Sequence, residues 1–198
     1  MGKKTAMVYD EIWMPLPNFP QRIVDLLHKE YNDFLGGDSS LPNISNSEIQ
    51  VINAQPTLTI IPQKLDLGIK ELSDRIMWQI VLPDSPMGII HADRSRTSAI
   101  NIPIKVNDPK KGPYIAGRFN SLDDYPESKP FELDNKVGYH WDYDEKLFQR
   151  IPITQPIYIN TALPHAWKND DNDYRVLASI SFHEQDADVT ANIAKQWT

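Results

Sequence analysis

Five histidines, His28, His91, His140, His165 and His183, are the chain's candidates for metal or acid–base chemistry. There is no cysteine, which excludes thiolate metal sites, iron–sulfur clusters, disulfides and a cysteine nucleophile. His28 stands between Leu27 and Lys29 in a helical pattern and reads as a helix-surface residue. The other four fall in a β-rich region. Two of them open an H-x-D string, His91-Ala92-Asp93 and His140-Trp141-Asp142. Residues i and i+2 of a strand point to the same face, so H-x-D delivers an imidazole and a carboxylate together. One further histidine from elsewhere would complete a set of two imidazoles and one carboxylate, which holds a metal and leaves positions open for other ligands. Alone, H-x-D is a weak signal, because any two polar residues on a solvent-facing strand produce it.

The distal histidine lies in Ala162-Leu163-Pro164-His165-Ala166-Trp167-Lys168-Asn169, and ten residues further on comes Arg175. Arg175 opens a strand that alternates cleanly. Val176, Ala178, Ile180 and Phe182 are apolar on one face, while Arg175, Ser179 and Ser181 line the other. That polar face turns either to water or into a cavity with Arg175 at its bottom. A buried guanidinium there would take a carboxylate, which it binds bidentately.

Together, His91-x-Asp93, His165 and Arg175 resemble the signature of the iron(II)- and 2-oxoglutarate-dependent oxygenases. The resemblance covers roughly residues 76–182 and implies a double-stranded β-helix, or cupin-like jelly roll. It implies that His91, Asp93 and His165 are ligands of Fe(II) and that Arg175 anchors the far carboxylate of 2-oxoglutarate. Ser179 or Ser181 would assist the anchor, since Leu177 stands where the family usually has a hydroxyl residue. The run Arg96-Thr97-Ser98-Ala99-Ile100-Asn101-Ile102-Pro103-Ile104 resembles the strand after H-x-D in small bacterial and phage members, which implies that Asn101 and Arg96 reach the co-substrate or substrate. The implied activity consumes O2 and 2-oxoglutarate and hydroxylates a small molecule or a polypeptide side chain. Asp93 argues against the halogenating branch, which lacks this carboxylate. Ser181 stands where the nucleic-acid-demethylating branch has a second arginine.

His140 and His165 are too close in sequence to fit the intervening strands of a jelly roll. If His140 paired with His183, no arginine would follow. His140 and Asp142 therefore read as one face of a hairpin whose other face carries Tyr139, Trp141 and Tyr143. Two other readings stand beside the oxygenase: a non-catalytic cupin-like protein that binds a metal or small ligand, and an acidic β-sandwich with incidental histidines. Arg175 favours the oxygenase, since a bare metal site has no use for it.

The elements that must position these residues follow from pattern. The 198 residues suit one domain. Ile23, Val24, Leu27, Tyr31 and Phe34 predict an amphipathic helix over Gln21–Phe34. Leu65, Ile69, Leu72 and Ile76 predict a second, weaker helix interrupted by Gly68. Short β-branched and aromatic runs predict strands at Ile76–Leu82, Gly88–His91, Thr97–Ile104, Val137–Tyr143, Leu147–Ile153, Pro156–Thr161 and Tyr174–Phe182. The expected fold class is thus mainly β with flanking helices. Residues 1–75 would form a helical and strand support, and residues 76–182 a jelly-roll core with a long Pro- and charge-rich loop at 107–136, suited to a lid. The net charge of −7 argues against a phosphate-backbone partner. No apolar run is long enough to span a bilayer. No apolar segment follows Lys3-Lys4, so no signal peptide is expected and a cytoplasmic location is.

Overall fold

The computed structural model describes residues 13–35, 48–51, 57–61, 64–83, 91–93, 96–111, 114–117, 129–133, 136–140 and 148–198. In chain order the elements are β1 (Trp13–Pro15), α1 (Gln21–Leu35), β2 (Glu48–Val51), β3 (Thr57–Ile61), β4 (Leu72–Val81), β5 (Ser98–Lys105), β6 (Tyr114–Gly117), β7 (Lys129–Leu133), β8 (Lys136–His140), β9 (Phe148–Ile151), β10 (Ile157–Asn160), β11 (His165–Trp167), β12 (Arg175–Phe182) and α2 (Ala187–Ala194). A short 3-10 turn, Lys195–Trp197, closes the chain.

A seven-stranded sheet runs β1-β10-β5-β12-β4-β3-β2, and a three-stranded sheet runs β11-β6-β9. From β4 onward the chain crosses between them. It leaves the large sheet at β4, touches the small one at His91, which bridges His165, and returns at β5. It then enters the small sheet at β6 and β9, returns at β10, crosses again at β11 and ends in the large sheet at β12. All pairings are antiparallel. This alternation is the double-stranded β-helix, and the fold is mainly β with flanking helices, as the sequence led us to expect. β7 and β8 form a separate hairpin between β6 and β9.

The two faces of the large sheet have different partners. Ile76, Trp78 and Ile80 of β4, Ile100 and Ile102 of β5 and Val176, Ala178 and Ile180 of β12 pack with Ile23, Leu27 and Tyr31 of α1 in one core cluster. The opposite face sends Val81, Leu177, Ile157 and Ile159 toward Ile151 of β9 and Trp167 of β11, a second cluster between the sheets. The side-chain period of two puts Leu177 in one cluster and its neighbours Val176 and Ala178 in the other.

Two expectations fail here. The weaker helix over residues 65–76 does not form, and β4 begins at Leu72. Gly68 adopts φ 63, a left-handed conformation that interrupts a helix. Ile76 fits either period, but Leu72, Ile76, Trp78 and Ile80 share one strand face once β3 and β12 pair on both sides. The long loop is not one either: residues 114–117 and 129–133 within it are strands. β6 is the middle strand of the small sheet, so that part of the segment is framework rather than lid. Residues 112–113, 118–128 and 134–135 of the expected loop lie outside the described residues, as do Asp142 and most of Gly88–His91. Among the described residues no helix is long and apolar enough to cross a membrane.

Candidate metal centre and its buried arginine

Backbone pairing builds the cluster. The His91 N–H donates to the His165 carbonyl at 3.0 Å, and the His165 N–H donates back to His91 at 2.8 Å. This reciprocal pair sets the two imidazoles side by side, with ring centroids 4.4 Å apart. Two residues on, the Asp93 N–H donates to the Thr161 carbonyl at 2.7 Å. One ligand atom from each of His91, Asp93 and His165 lies within 4.8 Å of the others. Two nitrogens and one carboxylate oxygen so gathered form a donor set suited to a divalent first-row metal.

The electrostatics favour ligation. His165 Nδ1 is 2.9 Å from the Leu163 carbonyl. A carbonyl only accepts, so Nδ1 carries the proton and Nε2 the lone pair, the arrangement that orients metal-binding histidines. Burial, reinforced by neighbouring His91, pushes the His165 pKa down to about 3, so the ring is neutral at physiological pH. Burial works to raise the Asp93 carboxyl, but Arg96, His165 and His91 outweigh it and hold the group below the ordinary carboxylate value. Asp93 is therefore ionised.

Arg175 lies further along the same interior. It is 2% exposed, and its Nε, Nη1 and Nη2 have no hydrogen-bond partner among the described residues. Its contact is the face of Trp167, 5.1 Å from guanidinium carbon to ring centroid. Burial pushes its pKa down to about 9, which leaves it cationic at neutral pH. An uncompensated buried charge costs several kcal/mol. Trp167 follows His165 by two residues on β11, about 7 Å along the strand and on the same face. Trp167 thus stands between the metal candidates and the Arg175 guanidinium in the strand order of contacts.

Asn101 is also buried, and its Oδ1 has no partner among the described residues. Its β12 partner is Ser179, and Gln79 of β4 pairs with Leu177, so both amides share the face that carries Arg175. Gln79 Oε1 is likewise unpartnered among the described residues. An amide that turns over presents its NH2 instead. Gln79 was not anticipated from sequence. The β4 alternation, with Gln79 between Trp78 and Ile80, was the available signal. Trp167 was likewise missed, although it follows His165 at strand spacing.

Arg96 and Ser179, both expected near the co-substrate, contact each other. Arg96 donates from Nε and Nη2 to Asp93 Oδ2 at 3.4 and 3.3 Å, and from Nη1 to Ser179 Oγ at 3.0 Å. Ser179 is fully buried and meets Arg96 rather than Arg175. His28 is half-buried on α1 and His183 is exposed, its N–H donating to the Glu71 carbonyl. His140 stands in the β7–β8 hairpin, apart from the strands that bear the cluster.

No protein-family model matches the chain, and no curated protein sequence does. Solved structures do. The non-heme alpha-ketoglutarate-dependent carbocyclase SnoK from nogalamycin biosynthesis superposes with a TM-score of 0.53 at 10% identity, over 92% of this chain and 83% of that one. The epimerase SnoN, solved with Fe3+, alpha-ketoglutarate and nogalamycin RO, gives 0.52 at 9% identity, over 89% and 81%. A prolyl-4-hydroxylase from Pseudomonas putida gives 0.50 at 13% identity, over 91% and 98%. At such identities the likeness shows the fold, and it agrees with the strand alternation described above.

Proposed function

We propose that the protein is an iron(II)- and 2-oxoglutarate-dependent dioxygenase that hydroxylates a small molecule or a polypeptide side chain. The observation that carries this is the pairing of a His91–Asp93–His165 donor set with the buried guanidinium of Arg175, unpartnered among the described residues. A metal-binding protein without a co-substrate gains nothing from keeping that charge unpaired. A 2-oxo diacid would serve both: its 2-oxo acid end would ligate the metal, and its far carboxylate would meet Arg175.

When bound, iron(II) with 2-oxoglutarate and oxygen supplies an oxidation that converts the diacid to succinate and carbon dioxide and inserts one oxygen atom into a C–H bond. The chain's own residues do the rest. His91, Asp93 and His165 would hold the metal and leave positions free for exchangeable ligands. Asp93 would offset one of its two charges. Arg175 forms charge-assisted hydrogen bonds with the far carboxylate, and Trp167 holds the guanidinium plane in place. Val81, Leu177, Ile157 and Ile159 keep water from the space between the sheets, where polar contacts gain strength.

The test is uncoupled turnover. Protein loaded with Fe2+ and given oxygen and 2-oxoglutarate should release succinate, and Asp93→Ala should abolish the release. Wild-type protein that yields no succinate above an iron-only control, with or without candidate substrates, would overturn the assignment.

A further inference from the structure

We propose that Arg96 is a positioning residue that commits Asp93 to metal ligation through a single oxygen and ties the metal centre to the strand bearing Arg175. This rests on reading His91, Asp93 and His165 as metal ligands, and not on the oxygenase activity.

The two oxygens of Asp93 have different neighbours. Oδ2 takes both Nε and Nη2 of Arg96, at 3.4 and 3.3 Å. Oδ1 faces the imidazoles, 3.7 Å from His91 Nε2. Arg96 thereby holds one oxygen and leaves the other toward the histidines. A carboxylate with both oxygens free can wrap a metal and consume a second coordination position. Held in this way it takes one.

Arg96 is itself fixed at both ends. Its carbonyl accepts the Thr161 hydroxyl, and the Thr161 carbonyl is the acceptor for the Asp93 N–H. Thr161 thus sets the backbone of ligand and clamp together. At the far end, Nη1 reaches Ser179 Oγ at 3.0 Å and lies 3.9 Å from Met77 Sδ. Ser179 is four residues beyond Arg175 on β12 and on the same strand face. One guanidinium therefore spans from the carboxylate of the candidate metal centre to the strand that carries the anion anchor.

A cation beside a dication has a second, opposite effect, and this makes the sign of the experiment decisive. If Arg96 were only a nearby positive charge, its removal would relieve repulsion and tighten metal binding. If it positions Asp93, its removal loosens the ligand and weakens binding, and residues that orient metal ligands typically contribute about 10–100-fold in affinity.

The experiment is a Co2+ titration of the apo protein, read by affinity and by the visible ligand-field spectrum, with no co-substrate or turnover. Arg96→Ala should bind Co2+ at least about 10-fold more weakly than wild type and with an altered spectrum. Arg96→Lys keeps the charge but lacks the fork, so it should lose affinity in the same direction. Ser179→Ala, which cuts only the tether to β12, should show a smaller loss. Variants that bind Co2+ as tightly as wild type or more so, with an unchanged spectrum, would overturn the role of Arg96 while leaving the metal site standing. A wild-type protein that fails to bind Co2+ would overturn both. Co2+ binding without succinate release would count against the oxygenase alone.

Discussion

The guanidinium of Arg175 rests 5.1 Å from the ring centre of Trp167, two residues beyond His165 on β11. That contact joins the last strand of the large sheet to the strand of the small sheet that presents a metal-ligand candidate. It also holds a buried cation whose nitrogens have no hydrogen-bond partner among the described residues. On the proposed function, the cost of that charge appears in the stability of the apo protein.

Arg175→Met removes an uncompensated charge and keeps most of the volume. It should raise apo stability by about 1–4 kcal/mol, the range seen when buried ionic groups give way to apolar isosteres. The same substitution should abolish stabilisation by 2-oxoglutarate. Chemical denaturation with and without the diacid measures both. A destabilised Arg175→Met protein would show that Arg175 has a partner in solution.

Trp167 should act through its ring face. Trp167→Leu removes the cation–π contact, worth about 0.5–2 kcal/mol, and should weaken 2-oxoglutarate binding by roughly 2–30-fold. Trp167→Phe keeps a ring and should lose less. Calorimetric titration of the two metal-loaded variants compares them, and equal losses would contradict the contact's role.

Apo stability should fall in acid before the carboxylates titrate. The His165 pKa drops from 6.5 to about 3 on folding. Below pH 6.5 the unfolded chain therefore binds a proton that the folded one refuses. Stability from this group is complete above pH 6.5 and declines as pH falls toward 3, by at most about 1.4 kcal/mol per pH unit. Asp93, also depressed, adds a loss of the same sign below its ordinary value. Denaturant midpoints between pH 7 and 4 should slope in wild type and flatten in His165→Asn. Parallel curves would contradict a buried neutral His165.

Much of the site could be read from the chain because the chemistry is local. His91-x-Asp93 and the alternation of β12 are short patterns with a single period, and α1 follows from one apolar stripe. The residues that complete the picture were hidden by tertiary context. Gln79 shows its significance only when β3 and β12 flank β4 and bury it. The contacts of Arg96 emerge only when the fold brings Asp93 and Ser179 to it. β6 has four residues in a stretch rich in proline and charge, and its place as a middle strand comes from β9 and β11 on either side. α2 was missed because it is short. Its cap, Asp186, accepts from the Asp188 and Val189 N–H groups, and Tyr158 fastens it by donating to the Ala187 carbonyl.

The central claim, that the metal candidates and Arg175 serve one diacid, is tested most directly by anaerobic absorption spectroscopy. Wild-type protein with Fe2+ should develop a weak visible metal-to-ligand charge-transfer band as 2-oxoglutarate is added, saturating at one equivalent bound. Asp93→Ala should lose the band by losing the metal, and Arg175→Met should need far more 2-oxoglutarate to reach it. No band in wild type at saturating Fe2+ and 2-oxoglutarate, or an Arg175→Met titration that overlays wild type, would contradict the account.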